Sequence, residues 1–162
     1  MKKTLLFTAA LLMTIISQAN TITVDSINDS GVGSLRAAAT AVTSGDTIRF
    51  NPNLISSGND TITLTGEIVF STSLTIIGLY TTTDTLFISG NNNSRIFSIN
   101  NTTNVTLDSL VLINGNSTNG GAIHSTNSVS LFIQNSIIKN NTNTLTGTGV
   151  QAFGGGIYSG GS

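Results

Sequence analysis

Acid–base or metal chemistry in this 162-residue chain would fall to seven carboxylates and one histidine, because cysteine is absent. The acids are Asp25, Asp29, Asp46, Asp60, Glu67, Asp84 and Asp108, and no two are adjacent or spaced i, i+2. A sugar hydrolase needs two carboxylates ~5–10 Å apart, and a calcium-dependent lyase needs clustered carboxylates and a base. Asp84 and Asp108, 24 residues apart, are the one pair whose spacing suits stacking in successive turns of a repeat. Both flank turns, where Asp commonly bonds its own backbone, so the structural role is the favoured reading of each.

His124 is the lone histidine, and without a second His or any Cys it has no company for a zinc site. Alternation points it outward beside Ile123, in a place equivalent to Ser98, as a surface polar residue. The glycines from Gly154 to Gly161 lack the Asp of calcium-binding nonapeptides and the Lys-Ser/Thr pair of a phosphate-cradling loop. Thr61, Thr63 and Thr65 make one outward threonine row that later segments do not keep, which argues against an ice-binding array. No residue is assigned a catalytic, cofactor-binding or metal-binding role, and no cofactor is implied.

The elements that must position these side chains are set by a period. Ile96 to Ala122 is 26 residues, and the same step carries Val105 onto Leu131, Leu107 onto Ile133, Val111 onto Ile137 and Leu112 onto Ile138. One repeat earlier a step of 25 lays Leu86–Asn91 over Val111–Asn116, with Gly90 on Gly115 and Asn91 on Asn116. Short apolar runs at a period in the twenties, punctuated by Gly and Asn, predict an all-β solenoid whose coils bury their apolar faces by stacking. Like residues would lie ~4.8 Å apart in successive coils, and Asn91, Asn116 and the Asn140-Asn141 pair are expected to form amide ladders at a turn. Between Asn140 and Phe153 an extra loop lengthens the repeat to 34, with Ile157 in the place of Ile123.

Residues 1–19 read as a secretory signal peptide: Lys2 and Lys3, an apolar run from Thr4 to Ile16, and Ser17 and Ala19 at the −3 and −1 positions before Asn20. The run is shorter than the ~20 residues a membrane span needs. Without Lys2 and Lys3, four basic side chains face seven acidic ones, a formal charge of −3. That balance excludes a basic nucleic-acid-binding face. Charged residues are only 8% of the chain, so Asn, Ser, Thr and Gly supply a neutral, hydrogen-bonding surface.

Residues 20–50 are expected to close the N-terminal end. Asn20 to Ile27 alternates as a strand with Ile22, Val24 and Ile27 inward, a turn follows at Asn28–Gly33, and Ser34 caps a helix from Leu35 to Val42. Its stripe of Leu35, Ala38, Ala39 and Val42 is narrow enough to lie flat over the first coil. Asp46–Phe50 turns Ile48 and Phe50 inward. Coils then fill residues 51–162, with strands at Thr61–Thr65, Ile68–Phe70, Leu74–Ile77, Leu86–Ile88, Ile96–Ile99, Val105–Leu107, Leu110–Ile113, Ala122–Ile123, Val129–Ile133 and Ile137–Ile138. The stack stops at Ser162 just after another coil begins. A continuation of the chain, carrying any membrane attachment, or end-to-end self-association is therefore expected.

Gly120-Gly121-Ala122-Ile123 followed by Phe132-Ile133-Gln134-Asn135, with Gly155-Gly156-Ile157 as a degenerate third instance, resembles the GGAI and FxxN elements of chlamydial polymorphic outer-membrane proteins and related bacterial surface proteins. Upstream, Asp29–Ala38 and Gly45–Phe50 are similar to the CSLREA-type segment that precedes such domains, with Gly33 at the Cys position and Ala37 at the Glu position. The resemblance implies a right-handed parallel β-helix, exported to the cell exterior or outer-membrane surface, adhesin-like or a display scaffold, and without catalytic residues. Host surfaces, glycans or other cell-surface components are the partners it suggests. Because the same fold houses polysaccharide lyases and hydrolases, a carbohydrate-active protein whose catalytic part is missing or cryptic is the alternative.

Overall fold

The computed structural model describes residues 18–101, 103–126, 129–144 and 153–160. Residues 1–17 of the expected signal segment and 145–152 of the expected extra loop lie outside them. In chain order the elements are β1 (Thr21–Val24), α1 (Leu35–Ala41), β2 (Asp46–Phe50), β3 (Asp60–Thr63), β4 (Ile68–Phe70), β5 (Leu74–Ile77), β6 (Leu86–Ser89) and β7 (Phe97–Ile99). They continue with β8 (Asn104–Asp108), β9 (Val111–Ile113), β10 (Asn116–Ser117), β11 (Ile123–Ser125), β12 (Ser130–Gln134), β13 (Ile137–Lys139), β14 (Thr142–Asn143) and β15 (Ile157–Ser159).

These strands build a parallel β-solenoid. One face is β1-β2-β5-β8-β12, the second β3-β6-β9-β13 and the third β4-β7-β11-β15, with the short pair β10-β14 at a corner. Each coil contributes one strand to each face, so every inward side chain sits on its counterpart in the coil below. Ile22, Ile48, Ile76, Leu107 and Ile133 make one such column. Ile62, Ile88, Leu112 and Ile138 make another. Ile48, Ile62 and Ile76 are wholly buried, which removes each from water at a gain of ~1.5–3 kcal/mol relative to exposure. In the third column Phe70 packs edge-on against Phe97 at 5.4 Å between ring centres.

The 26-residue register holds at Val105–Leu131, Leu107–Ile133, Val111–Ile137 and Leu112–Ile138, and Ile157 does pair with Ile123. The 25-residue step does not hold. β6 lies on β9 with a step of 24, placing Phe87 on Val111 and Ile88 on Leu112. Side chains alternate along a strand, so a slip of one would have turned the inward set outward; the step of 24 keeps buried Leu86 and Ile88 in phase with buried Leu110 and Leu112. The upper coil recovers the two residues before β11, where the step is again 26. Gly90 still lies against Gly115, whose Cα is 2.8 Å from the place a Cβ on Gly90 would occupy.

Asparagine acts differently from the expected amide ladder. Asn141 Nδ2 donates to Leu112 O at 3.1 Å, and its Oδ1 accepts from Gly115 N–H at 2.7 Å. Asn116 Nδ2 donates to Asn92 O at 3.1 Å. These side chains therefore tie turns to the backbone of the neighbouring coil. Several others hold left-handed turns: Asn114 and Asn140 share φ near 53° and 56°, one step of 26 apart. Asn tolerates that region because its short amide bonds locally.

At the N-terminal end Ser34 caps α1, its Oγ accepting from Ala37 N–H at 3.1 Å. Seven residues cannot sustain a helix alone, and this one is held by Leu35 and Ala38, both buried on β1 and β4. Arg36 on its flank pairs with Asp29 at 2.6 Å and donates to Gly66 O and Glu67 O, pinning the cap to the first coil. Ile27, expected inward, is 37% exposed. Past Val24 the chain leaves the sheet, because the Asp25 and Ser26 N–H groups bond back to Gly33 O.

The stack leaves no room at Gly121, where a Cβ would collide with the carbonyl oxygens of Thr142 and Gly155. Gly121→Ala should lower stability by about 2–3 kcal/mol in urea unfolding. Ser34→Ala should cost about 1 kcal/mol, the usual loss of a helix cap.

Candidate functional site

Outward residues on the third face stack as strictly as inward ones. Val69, Ser98, His124 and Tyr158 occupy equivalent places on β4, β7, β11 and β15, as the alternation predicts for His124 and Ser98. The imidazole of His124 lies flat on the Tyr158 ring, 5.4 Å between centres and 2° between planes. Phe153, on the chain entering the last coil, adds a third ring 5.8 Å from Tyr158. Phe153 is 45% exposed and Val69 46% exposed, so an apolar and aromatic strip runs along the stack on an otherwise neutral surface.

A charged clamp fixes the edge of this strip. Arg95, in the turn before β7, donates Nη1 to Glu67 Oε2 at 2.6 Å, Nη2 to Ser117 Oγ at 2.8 Å and Nε to Gly120 O at 3.1 Å. One guanidinium thus joins three successive coils. Burial pushes the His124 pKa below its usual range, the positive Arg95 lowers it further, and Glu67 opposes both. The ring row is therefore neutral, with flat π faces suited to stacking.

The two carboxylates singled out by spacing do not stack. Tyr80 and Thr85 bridge in antiparallel fashion, so residues between them form an excursion outside the coil, and Asp84 sits in it with Thr83 Oγ1 donating to its Oδ2 at 2.6 Å. Asp108 instead lies on Ile77 below and beneath Gln134 above. Its carboxylate accepts from Asn135 Nδ2 at 3.0 Å, Gln134 Nε2 at 2.9 Å and Ser109 Oγ at 2.9 Å, which hold its pKa below the ordinary carboxylate value. Among the described residues no three His, Asp or Glu side chains gather into a metal-ligating cluster.

A second surface feature is a cleft of about 480 Å³ lined by Thr23, Arg49, Asn51, Pro52 and Ile77. Arg49 is exposed there and joins neither of the two ion pairs among the described residues. The cleft could seat a small polar or anionic group, while the ring strip offers an extended stacking surface.

The chain matches no protein-family model and no curated protein sequence.

The Arg95 clamp and the aromatic strip were not anticipated from sequence. The step of 34 that puts Ile157 on Ile123 also puts Tyr158 on His124, and that was the available signal. A histidine whose folded pKa is depressed takes up its proton more readily in the unfolded chain. Stability is then full above pH 6.5 and declines as pH falls through the lowered value. Urea midpoints measured from pH 7.5 downward should begin to fall below 6.5, and His124→Gln should flatten that first decline. Asp29 adds a second decline: burial opposes its ionisation, but hydrogen bonds from Arg36 and Thr65 outweigh this and lower its pKa. Its contribution and that of Asp108 are present above pH 3.8 and are lost below it, so His124→Gln should leave this lower step intact.

Proposed function

We propose that this chain is an exported, surface-displayed binding protein, adhesin-like and non-enzymatic, of the kind whose coils carry GGAI and FxxN elements. The observation that carries the reading is the exposed ring row of His124, Tyr158 and Phe153, held at coil spacing on a rigid neutral scaffold. Rings fixed by stacking lose little freedom on contact with a partner, and aromatic side chains supply much of the binding energy at interfaces. The Asn, Ser and Thr around them offer hydrogen bonds to neutral polar partners such as glycans or other cell-surface components.

The glycines of the GGAI element fit this role as scaffold. Gly120 and Gly154 take positive φ of 63° and 57° at equivalent corners, and the strand that follows each delivers one ring of the row. The repeat element thus sets the geometry of the surface that binds.

The test is saturable binding of the purified chain to epithelial cells and to arrayed neutral glycans. Tyr158→Ala and Phe153→Ala together should weaken it at least ~10-fold with the fold retained by circular dichroism. Binding unaffected by both substitutions would remove the ring row from the account. Absence of saturable binding on either surface would remove the adhesin-like role.

A further inference from the structure

Asp46 is the most deeply buried carboxylate described, at 2% exposure, and no cation faces it among the ion pairs of the described residues. An ionised group in such a place requires either a partner charge or a full set of donors. Its two oxygens are satisfied from two directions. Oδ2 accepts from Thr43 N–H at 2.7 Å and Thr43 Oγ1 at 2.8 Å, within the tight turn that leads into β2. Oδ1 accepts from a single donor, the backbone N–H of Asn20, at 2.8 Å. These bonds, Asn20 first, hold the Asp46 pKa below its ordinary value, so the group is a carboxylate at neutral pH.

The donor is the residue that follows the small-residue motif Ser17-Gln18-Ala19. Asn20 is also fixed on its other side, its carbonyl accepting from Thr47 N–H at 2.8 Å as β1 settles on β2 with Thr21 opposite Thr47. The nitrogen of Asn20 is therefore held on the carboxylate by the sheet itself.

We infer that the Thr43–Asp46 turn is a docking site for the α-ammonium group of Asn20, created when the leader is removed between Ala19 and Asn20. The inference rests on the signal-peptide reading of residues 1–19. Hydrolysis of that amide consumes one water, leaves a carboxylate on Ala19, and leaves on Asn20 an amine that takes a proton. An α-amino group has an ordinary pKa of about 7.7–8.0, and an adjacent carboxylate favours its charged form. In the unprocessed chain the nitrogen offers Asp46 one neutral N–H. In the processed chain the same atom carries a full charge and further protons, and the bond becomes a charge-assisted ion pair inside the protein. Leader removal would thereby lock the first strand onto the second and complete the N-terminal cap on the far side of the membrane.

The test compares the chain beginning at Asn20, made by cutting a fused tag directly before it, with the same chain acetylated at its α-amine. Acetylation keeps one N–H and removes the charge, as the intact Ala19–Asn20 amide does. The free-amine chain should melt about 3–6 °C higher at pH 7, and Asp46→Asn should abolish the difference. Its α-amine should also titrate above the ordinary range. If Asp46→Asn fails to fold, the free and acetylated forms with Asp46 intact still decide the matter. Equal melting and an ordinary titration would overturn the docking site. N-terminal sequencing of the protein exported by a bacterial host should begin at Asn20. Another start would overturn the processing step while leaving the melting comparison to judge the docking chemistry by itself.

Discussion

Everything in this molecule depends on one constraint: a side chain in a parallel solenoid has its own counterpart, one coil away, as its nearest neighbour. The column of Ile48, Ile76 and Leu107 is stable because each member shields the next, and no member could be buried by its own coil. The same constraint acts on the outer surface. It stacks His124 on Tyr158, and it lets one Arg95 side chain reach carbonyl and carboxylate groups in three coils. Scaffold and candidate binding surface are two faces of one register.

The constraint also explains where the chain departs from regularity. A coil must return each strand to its place, but the path between strands is free, so extra residues collect at corners. Tyr80–Thr85 leaves the coil and returns, and the segment between Asn143 and Phe153 delivers Phe153 beside Asn119. Such excursions cost little where they preserve the strand positions, and they are where new chemistry is added without disturbing the core. At the last coil the inward column is only partly covered: Leu131, Ile133 and Ile138 are half-buried, whereas their counterparts Val105, Leu107 and Leu112 are buried.

Much of this was legible in the residues. Apolar identity at fixed steps revealed the solenoid, the Ser34 cap and helix α1, because burial by stacking demands like residues at like places. The step between β6 and β9 was misjudged because matching Gly90 to Gly115 and Asn91 to Asn116 favoured 25, while the inward alternation of Leu86 and Ile88 required 24. Turn residues mislead in this way, since a corner can gain two residues and still bring the same glycines together. The ring row and the Arg95 clamp were illegible for a related reason. They join residues 28 and 34 apart across corners of unequal length, and no single period predicts them. The burial of Asp46 was hidden because its partner is a backbone N–H, which no side-chain pattern records.

The central claim is that unequal steps carry one continuous inward column, and methyl–methyl nuclear Overhauser contacts in a selectively Ile/Leu-labelled sample test it most directly. The account predicts cross-peaks joining Ile48 to Ile76, Ile76 to Leu107 and Leu107 to Ile133, at steps of 28, 31 and 26 residues. Cross-peaks at one constant step, or contacts of Leu107 with neither Ile76 nor Ile133, would contradict it.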